Sequence, residues 1–382
     1  MAPNVFCDSL YVGCADLKDR KYKVLVFADG TSIHTEKWLY GLSLRDDFEL
    51  YFVTLNPSEV RQGIRENRKI RKIINLGKKQ VSEMGGNYHY LFRILDTRKA
   101  IQEIQPDAIS TIYLTSYGLI GSLLKGSALL MHFVIGSDLM IYPEKSWLYR
   151  QAAKFSLKRS DLIISVSKAI AERIQVLVKR PDEDMLVQQY GIDDSLLTYH
   201  AGEVEYDFVS NRGWVPNSNI PLILQAISGM DESPSLALVG GDGDQQESVH
   251  SLVEQMPNVT CFGMLEHLKN IDVVAKSKFF LSLTSSDGTA LSLLEAMALG
   301  SIPVVSDIEP NREWIEHGVN GFLIDISNVD SICNGLKEVV NVSDLTLNNM
   351  RQKNRDIIRD RGCISRNMGN ISDLLVKKLL RG

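Results

Sequence analysis

The sequence predicts an α/β protein with two doubly wound domains and a cleft between them. Three observations carry this prediction. The chain has 382 residues, which is more than one hydrophobic core usually organises. Short apolar, strand-like runs alternate with helical segments, a pattern typical of parallel sheets covered on both faces. The alternation runs through the chain twice, which predicts domains over residues 1–198 and 199–345.

The first domain contains an apolar run at residues 22–28, Tyr-Lys-Val-Leu-Val-Phe-Ala, which precedes a polar turn. This pattern is typical of a buried strand that enters a loop. Helical spacing follows over residues 33–44. Further strands are predicted at residues 49–55, 108–114, 129–135 and 161–166, and the last two are followed by a polar turn and by a helix-capping Ser.

The second domain repeats the pattern. Strands are predicted at residues 206–211, 235–239, 259–262, 279–283 and 302–306. A Gly-Gly-Asp-Gly turn after residue 239 separates one strand from the next helix. The last stretch, residues 346–382, carries no strand signal, and we expect its helices to pack back toward the N-terminal domain.

Net charge and cysteine content indicate which partners and which cellular compartment suit this protein. The net charge of -5 gives no general basic field and argues against nucleic acid as a partner. The five cysteines are odd in number, scattered and without the short paired spacings of zinc sites, which favours a reduced, cytoplasmic compartment. No run approaches the roughly 18 apolar residues that a membrane-spanning helix needs.

Residues 282–307 contain the pattern that is most informative about chemistry. A strand gives way to a small polar loop and then to a helix that starts near Ala290 and ends at Gly300. Such a turn places backbone N–H groups and the positive end of the helix dipole at the carboxyl edge of the sheet, where phosphate binds well. Asp287 in the loop and Glu295 on the helix could accept hydrogen bonds from sugar hydroxyls. The spacing alone also fits an ordinary loop residue and a solvated helix residue.

The order of residues in this segment resembles the signature of retaining glycosyltransferases of family 4. That signature has an acid, a glycine-rich loop, a second acid, an Ala-Met-Ala run and a Gly-x-Pro-Val strand. The matching residues here are Asp287, Gly288, Glu295, Ala296-Met297-Ala298, Gly300 and Pro303-Val304. Shorter motifs follow the family's order from about residue 22 onward, at residues 32–35, 116–118, 136–138, 165–167, 190–193, 238–243 and 311–322.

The resemblance implies a GT-B fold, in which two Rossmann-like domains enclose a cleft. The acceptor would bind the N-terminal domain and the donor nucleotide the C-terminal domain. By position, Glu295 would bind the ribose hydroxyls and Asp287 the hydroxyls of the transferred sugar. Arg212 matches the basic residue that neutralises the diphosphate, a role that suits a guanidinium. The other implied donor contacts are Ser286, Gly288, Thr289, Ala290 and Leu291.

The implied reaction moves a sugar from a nucleotide-sugar co-substrate of the UDP or GDP type, with retention of configuration and without a cofactor or a metal ion. Stabilising the charge on the departing nucleoside diphosphate would ease its departure. The implied acceptor is a glycan or a lipid-linked acceptor, and cell-envelope polysaccharide synthesis is the expected setting. Two alternatives stay open, a non-catalytic nucleotide-sugar-binding relative and a sugar-nucleotide epimerase on the same fold.

Three positions depart from the family pattern. Asp287 replaces the usual Glu, and its shorter side chain puts the identity of the sugar in question. Ser218 lies nearest to the position of a lysine that usually contacts phosphate. Ile135 stands where the family often has a histidine at the end of a strand, although His132 lies close by and is expected in the core.

Two loops of the N-terminal domain are expected to line the cleft on its acceptor side. Their candidate residues are Asp29, Gly30, Ser32, His34, Gly136 and Asp138. In the first loop a glycine lets the backbone approach a ligand, and polar side chains supply hydrogen bonds. A tight turn with a helix-capping Ser explains the same residues, and Asp138 could simply cap the helix that follows it.

The segment from Glu59 to Lys79 has eight Lys or Arg residues against two Glu, with apolar residues between them. This pattern predicts an amphipathic helix with a basic face. Such a helix could dock on an anionic membrane that bears a lipid-linked acceptor, at the inner face of the cytoplasmic membrane. A solvated helix face is the alternative.

Overall fold

The computed structural model describes residues 20–78, 88–140, 142–241 and 243–381. Within these residues the chain forms two β-sheets, one of seven strands and one of six, and every strand pairing is parallel. The predicted α/β class with two doubly wound units is confirmed. No helix in this part of the chain combines the length and apolar content that crossing a bilayer requires.

The N-terminal sheet contains β1 (Tyr22–Phe27), β2 (Phe48–Thr54), β3 (Ile70–Asn75), β4 (Ala108–Ile112), β5 (Leu129–Val134), β6 (Leu162–Ser165) and β7 (Met185–Val187). Its strand order is β3-β2-β1-β4-β5-β6-β7. The helices of this half are α1 (Ile33–Ser43), α2 (Gln62–Arg65), α3 (Ile94–Ile104), α4 (Tyr117–Leu124), α5 (Ser137–Met140), α6 (Tyr142–Lys145), α7 (Trp147–Arg159) and α8 (Lys168–Leu177). Short 3-10 helices span Tyr88–Arg93, Asp182–Asp184 and Asp194–Thr198.

The C-terminal sheet contains β8 (Tyr206–Ser210), β9 (Leu236–Val239), β10 (Val259–Gly263), β11 (Ser277–Ser282), β12 (Ile302–Ser306) and β13 (Phe322–Ile324), in the order β10-β9-β8-β11-β12-β13. A 3-10 helix spans Pro216–Ser218. The remaining helices are α9 (Ile220–Ser228), α10 (Gln246–Val253), α11 (His267–Ala275), α12 (Leu291–Leu299), α13 (Glu309–Arg312), α14 (Val329–Val340), α15 (Asp344–Arg361) and α16 (Ile364–Leu379). The domain boundaries at 198 and 345 stay predictions.

Each sheet reverses its strand order at one place, between β1 and β4 in the N-terminal sheet and between β8 and β11 in the C-terminal sheet. The loops at the carboxyl ends of these strands turn to opposite faces of the sheet and leave a crevice, where α/β proteins bind ligands. The loops after β1, β8 and β11 all contain residues that the sequence predicts to bind donor or acceptor. The fold therefore positions these residues at the two binding crevices.

The C-terminal helices contact both halves of the molecule. α16 packs on α1, where a Cβ added to Gly41 would collide with the Met368 side chain. Ile371 and Leu375 of α16 belong to the same core cluster as Trp38 of α1. α15 packs instead on α12 of the C-terminal half.

The amphipathic helix predicted for residues 59–79 is wrong. The segment contains the short helix α2 and the edge strand β3, which pairs with β2, while Lys79 lies outside the described residues. Exposed Arg and Lys side chains are common on edge strands because one side of the strand faces solvent. Five of the eight cations pair with carboxylates, Arg61 with Glu36, Arg65 with Glu59, Lys69 with Asp46, Arg71 with Glu49 and Lys72 with Glu103. They do not form one unmatched basic face.

Candidate active site

The loop between β11 and α12 is held in place by the segment after β8. Asn217 Nδ2 donates to the Ser286 carbonyl at 2.8 Å, and Asn217 Oδ1 accepts from the Ser286 N–H at 3.0 Å. The Asn219 side chain donates to the Leu283 carbonyl at 2.7 Å. Ser218, at the family's lysine position, is buried within this segment. The segment therefore supports the loop on which the predicted donor contacts lie.

Arg212 and Asp287 form an ion pair at this loop. Arg212 Nη2 donates to Asp287 Oδ2 at 2.7 Å, and both side chains are 21% exposed. Arg212 Nη1 lies 3.4 Å from the Ser292 hydroxyl, in the first turn of α12. Asp287 Oδ1 accepts from the Gly288 N–H at 2.8 Å. The structure thus brings together the cation predicted to bind phosphate and the carboxylate predicted to bind the sugar.

α12 has an N-terminus without a side-chain cap. Ala290 is the N-cap residue, with extended backbone, and it makes no side-chain capping hydrogen bond. The first-turn N–H groups of a helix lack partners within it, and the helix dipole adds partial positive charge there. At the other end Gly300 has φ 90°, a left-handed conformation that favours glycine. The start of α12, beside Arg212, is therefore suited to an anion.

Glu295 lies in the second turn of α12 and faces the N-terminal half. It is 6% exposed. Lys37 Nζ of α1 lies 4.0 Å from Glu295 Oε1, and His267 Nε2 lies 3.6 Å from the same oxygen. Burial raises the pKa of the Glu295 carboxyl to about 7, and the charge of Lys37 opposes part of that rise. The carboxyl can therefore change its protonation near neutral pH.

The donor loop also forms a contact between the two halves. A Cβ on Gly288 would lie 2.7 Å from the Ile135 carbonyl oxygen at the end of β5. The Thr289 hydroxyl donates to the Val166 carbonyl at 2.9 Å, and the Thr289 carbonyl accepts from Gln189 Nε2 at 2.8 Å. A relative movement of the halves would therefore displace the loop.

We expect Gly288→Ala to lower any turnover at this site by about 100-fold, because displacements near 1 Å in a site cost that much. The added methyl group would collide with the Ile135 carbonyl and push the halves apart, while each core stays intact. Gly202→Ala is the control, since a Cβ there meets no atom within 4 Å. Turnover and the thermal midpoint would be measured together. A Gly288→Ala enzyme as active as Gly202→Ala would contradict the prediction.

In the loop after β1, Asp29 and Gly30 contact their own loop and β2. The Asp29 carboxylate accepts from the Thr31 N–H at 2.9 Å and from Asn56 Nδ2 at 3.0 Å. The Gly30 N–H donates to Thr54 Oγ1 at 3.1 Å. These contacts fit the tight-turn interpretation, in which the two residues shape the loop.

Ser32 and His34 lie closer to the donor loop. Ser32 Oγ accepts from the His34 N–H at 3.2 Å as the N-cap of α1, and it lies 3.1 Å from the Tyr113 hydroxyl. His34 Nδ1 is 2.9 Å from the Tyr190 hydroxyl. Burial lowers the pKa of His34 to about 4, against the opposing charge of Asp287. His34 is therefore a neutral imidazole near Asp287 at physiological pH.

The second candidate loop of the N-terminal half also reaches the donor loop. Gly136 has φ 144°, which favours glycine, and a Cβ there would lie 3.8 Å from the Gly288 nitrogen. Asp138 lies in α5, but its side chain is outside the described part of the structure. A contact between Asp138 and an acceptor stays a prediction.

His132 lies in the core of the N-terminal half and not in the cleft. Its Nδ1 is 2.5 Å from Thr111 Oγ1, and its Nε2 is 3.2 Å from both Ser122 Oγ and the Ser156 carbonyl. Burial lowers the pKa of His132 to about 4. The expectation of a core histidine fits these contacts.

His132 should make the protein less stable in acid. Its pKa is about 4 when folded and near 6.5 when unfolded, so the unfolded chain takes up the proton first as the pH falls. The wild type should therefore lose up to ~3 kcal/mol of its free energy of unfolding, relative to His132→Gln, between pH 7 and pH 4. Urea unfolding at several pH values measures it. A difference that does not change with pH would contradict this assignment.

Several residues near the site were missed by the sequence analysis. Lys37 lies one turn after His34 in α1, and this spacing on one helix face could have indicated it. Asn217 directly precedes Ser218, one of the three positions at which the sequence differs from the family pattern. His267 carries no local sequence signal, and only the packing of α11 beside α12 brings it to Glu295.

The arrangement offers one anion-binding position flanked by two carboxyl groups. Among the described residues, no group of three or more His, Cys, Asp or Glu side chains is placed to hold a metal ion. Chemically, the site can hold a diphosphate at the start of α12 and hydroxyl groups at Asp287 and Glu295.

Two family models match the chain. "Glycosyl transferases group 1" matches residues 205–357, and "Glycosyl transferase 4-like" matches residues 23–167. Among curated relatives, the N-acetyl-alpha-D-glucosaminyl L-malate synthase of Bacillus anthracis is 23% identical over 59% of this chain and 60% of that protein. The UDP-Gal:alpha-D-GlcNAc-diphosphoundecaprenol alpha-1,3-galactosyltransferase of Escherichia coli is 30% identical over 28% of this chain and 27% of that protein. The chain thus matches less than two thirds of the length of these relatives.

Solved structures match over nearly the whole chain. The Anabaena protein HepE, in complex with UDP and glucose, has a TM-score of 0.76 at 15% identity and covers 93% of this chain and 100% of its own. The sucrose-phosphate synthase of Thermosynechococcus elongatus has a TM-score of 0.79 at 12% identity and covers 95% of this chain and 100% of its own. At such low identity the similarity shows only the fold. That fold is GT-B, which the sequence resemblance had implied.

Proposed function

Because the chain belongs to the group 1 glycosyltransferases, we propose that it transfers a sugar from a nucleotide-sugar donor to an acceptor with retention of configuration. One observation carries the proposal. Arg212 and Asp287 form an ion pair beside the uncapped start of α12, at the binding crevice of the C-terminal sheet. Positive charge for a diphosphate and a carboxylate for a sugar are thus adjacent.

The donor would bind in three parts. Its diphosphate would accept hydrogen bonds from backbone N–H groups of residues 288–291 and from Arg212. Arg212 would then exchange its contact with Asp287 for one with phosphate, which leaves the Asp287 carboxylate for the sugar hydroxyls. The ribose hydroxyls would donate to Glu295. HepE was solved with UDP, which supports a UDP-type donor, and a GDP-type donor is the alternative.

Departure of the nucleoside diphosphate would be the step that the site assists. Negative charge grows on the phosphate as its bond to the sugar breaks, and donors fixed beside it lower the barrier. Arg212 and the start of α12 would supply positive charge beside the phosphate. We propose that the reaction therefore needs neither a metal ion nor a cofactor.

The acceptor would approach from the N-terminal half, past His34 and Lys37. We propose a glycan or a lipid-linked acceptor in cell-envelope polysaccharide synthesis, on the cytoplasmic side of the membrane. The diphosphoundecaprenol in the name of the Escherichia coli relative supports a lipid-linked acceptor.

A non-catalytic nucleotide-sugar-binding protein is the second candidate. It is favoured by Asp287 in place of Glu and by the buried Ser218 at the lysine position. Such a protein would bind the nucleotide sugar without cleaving the bond between the sugar and the diphosphate.

A thermal-shift screen with UDP, GDP and their sugar conjugates tests the proposal, because a ligand of the native state raises the midpoint. We expect a shift with one nucleotide, followed by sugar transfer once a lipid-linked or glycan acceptor is added. A shift without any turnover supports the non-catalytic alternative. No shift with any nucleotide contradicts both.

A further inference from the structure

Three helices form one outer layer of the N-terminal half. His132 of β5 contacts Ser122 of α4 and Ser156 of α7, so both helices cover the same face of the sheet. α3 packs beside α4 in this layer. Phe133, which points to the other face, stacks on Trp38 of α1. The layer α3–α4–α7 therefore lies opposite α1.

This layer carries an apolar patch. We define the patch by its six exposed side chains, Phe92, Leu95, Leu123, Trp147, Leu148 and Phe155. Trp147 and Leu148 are each 70% exposed, and Phe92 is 85% exposed. Single exposed apolar residues are ordinary, but a group on adjacent helices marks an interaction surface.

Unmatched cations lie on the same helices as the patch. Arg98, Lys154 and Lys158 form no ion pair among the described residues. α4 and α7 contain no Asp or Glu. The acids at the two ends of α3 are already paired, Asp96 with Arg93 and Glu103 with Lys72. The layer therefore has a net positive charge beside its apolar side chains.

The patch extends to the edge of the sheet at which the cleft opens. α3 ends just before β4 and α7 just before β6, at the amino edge of the sheet. Their first residues, with Leu95 and Trp147, therefore lie toward the carboxyl edge, whereas Leu123, in the last turn of α4 just before β5, lies at the amino edge. A surface bound there would be next to the acceptor side of the cleft.

We propose that the α3–α4–α7 layer docks on an anionic phospholipid membrane. Exposed Trp, Phe and Leu side chains enter the interface between headgroups and acyl chains, and Lys and Arg attract anionic headgroups. A second copy is a poor occupant, because a symmetric contact would bring the same cations face to face. That the membrane also carries the acceptor rests on the proposed function, whereas the docking itself does not.

Cosedimentation with vesicles tests the docking. The full chain should bind vesicles of phosphatidylcholine mixed with phosphatidylglycerol, should bind phosphatidylcholine alone weakly, and should dissociate in high salt. Trp147→Ala with Leu148→Ala should lower the partition coefficient at least ~10-fold. Lys154→Gln with Lys158→Gln should lower it about 30-fold for the anionic vesicles only.

Matched controls separate this surface from nonspecific adsorption. Leu345→Ala removes an equally exposed apolar side chain on α15, and Lys377→Gln removes a cation on α16. Both controls should bind vesicles as the wild type does. Failure of the wild type to bind anionic vesicles, or patch variants that bind like the controls, would overturn the docking proposal. Self-association through the patch, seen as a mass change by light scattering that the patch variants lose, would also overturn it.

Nucleotide binding by the same variants keeps the two proposals apart. The patch variants should keep the thermal shift of the wild type with the nucleotide, because none of the changed residues faces the donor loop. Vesicle binding without any nucleotide-induced shift would contradict only the proposed function.

Discussion

Replacing Glu295 with glutamine should stabilise the empty protein and weaken its binding of a nucleoside diphosphate to the level that the wild type shows below pH 7, where its carboxyl is protonated. The folded state raises the pKa of this carboxyl from 4.5 to about 7. The folded protein therefore holds the proton more tightly than the unfolded chain, and the stability due to protonation is lost as the pH rises from about 4.5 to 7. Glutamine carries no charge, so the gain should approach ~3 kcal/mol at pH 8 and vanish near pH 4.5.

Urea unfolding at pH 8 and pH 5 measures this gain, and titration calorimetry measures binding. Glu338→Gln, on the exposed face of α14, is the control and should change stability by less than about 0.5 kcal/mol. In the wild type, nucleotide affinity should rise with pH through about 7, because the ionised carboxylate accepts the ribose hydroxyls more strongly. A Glu295→Gln protein that is no more stable and binds nucleotide normally would contradict the assignment of Glu295.

The second large effect concerns Arg212. Arg212→Gln removes the guanidinium beside the start of α12, and we expect kcat/KM for transfer to fall by at least ~100-fold. Affinity for the nucleoside diphosphate should fall about 10-fold or more, because a charge-assisted hydrogen bond to phosphate is lost. Affinity for the matching nucleoside, which has no phosphate, should stay unchanged.

Arg366→Gln provides the control, because Arg366 makes a similar but exposed ion pair, with Asp360. Steady-state kinetics and calorimetry with nucleoside and nucleoside diphosphate give the comparison. An equal loss of affinity for the nucleoside and for the nucleoside diphosphate would show that Arg212 acts by holding the loop through Asp287 and not by binding phosphate.

The sequence could predict the parts of the fold that depend on local signals. Buried parallel strands appear as short apolar runs, and glycines mark the ends of helices, so α12 was placed almost to the residue between Ala290 and Gly300. The strand β3 was mistaken for a helix because an edge strand with exposed Arg and Lys lacks the alternating pattern of a half-buried strand. The short strands β7 and β13 were missed because three residues carry too little pattern.

In the candidate site, too, residues close together in the sequence could be predicted, whereas contacts between distant residues could not. The donor loop lies within one continuous segment and could be selected from the sequence. The pairing of Arg212 with Asp287 spans 75 residues and arises only because β8 and β11 are neighbours at the reversal of the sheet. Lys37 reaches Glu295 because the two halves face each other. Contacts of this kind follow from topology, which no local pattern specifies.

The central claim is that a nucleotide donor binds with its diphosphate at the start of α12. A crystal structure with the nucleoside diphosphate that raises the thermal midpoint tests it most directly. We expect phosphate oxygens within hydrogen-bond distance of Arg212 and of the backbone N–H groups at residues 288–291, with the ribose hydroxyls on Glu295. A nucleotide bound elsewhere, with the Arg212–Asp287 pair unchanged, would contradict the account.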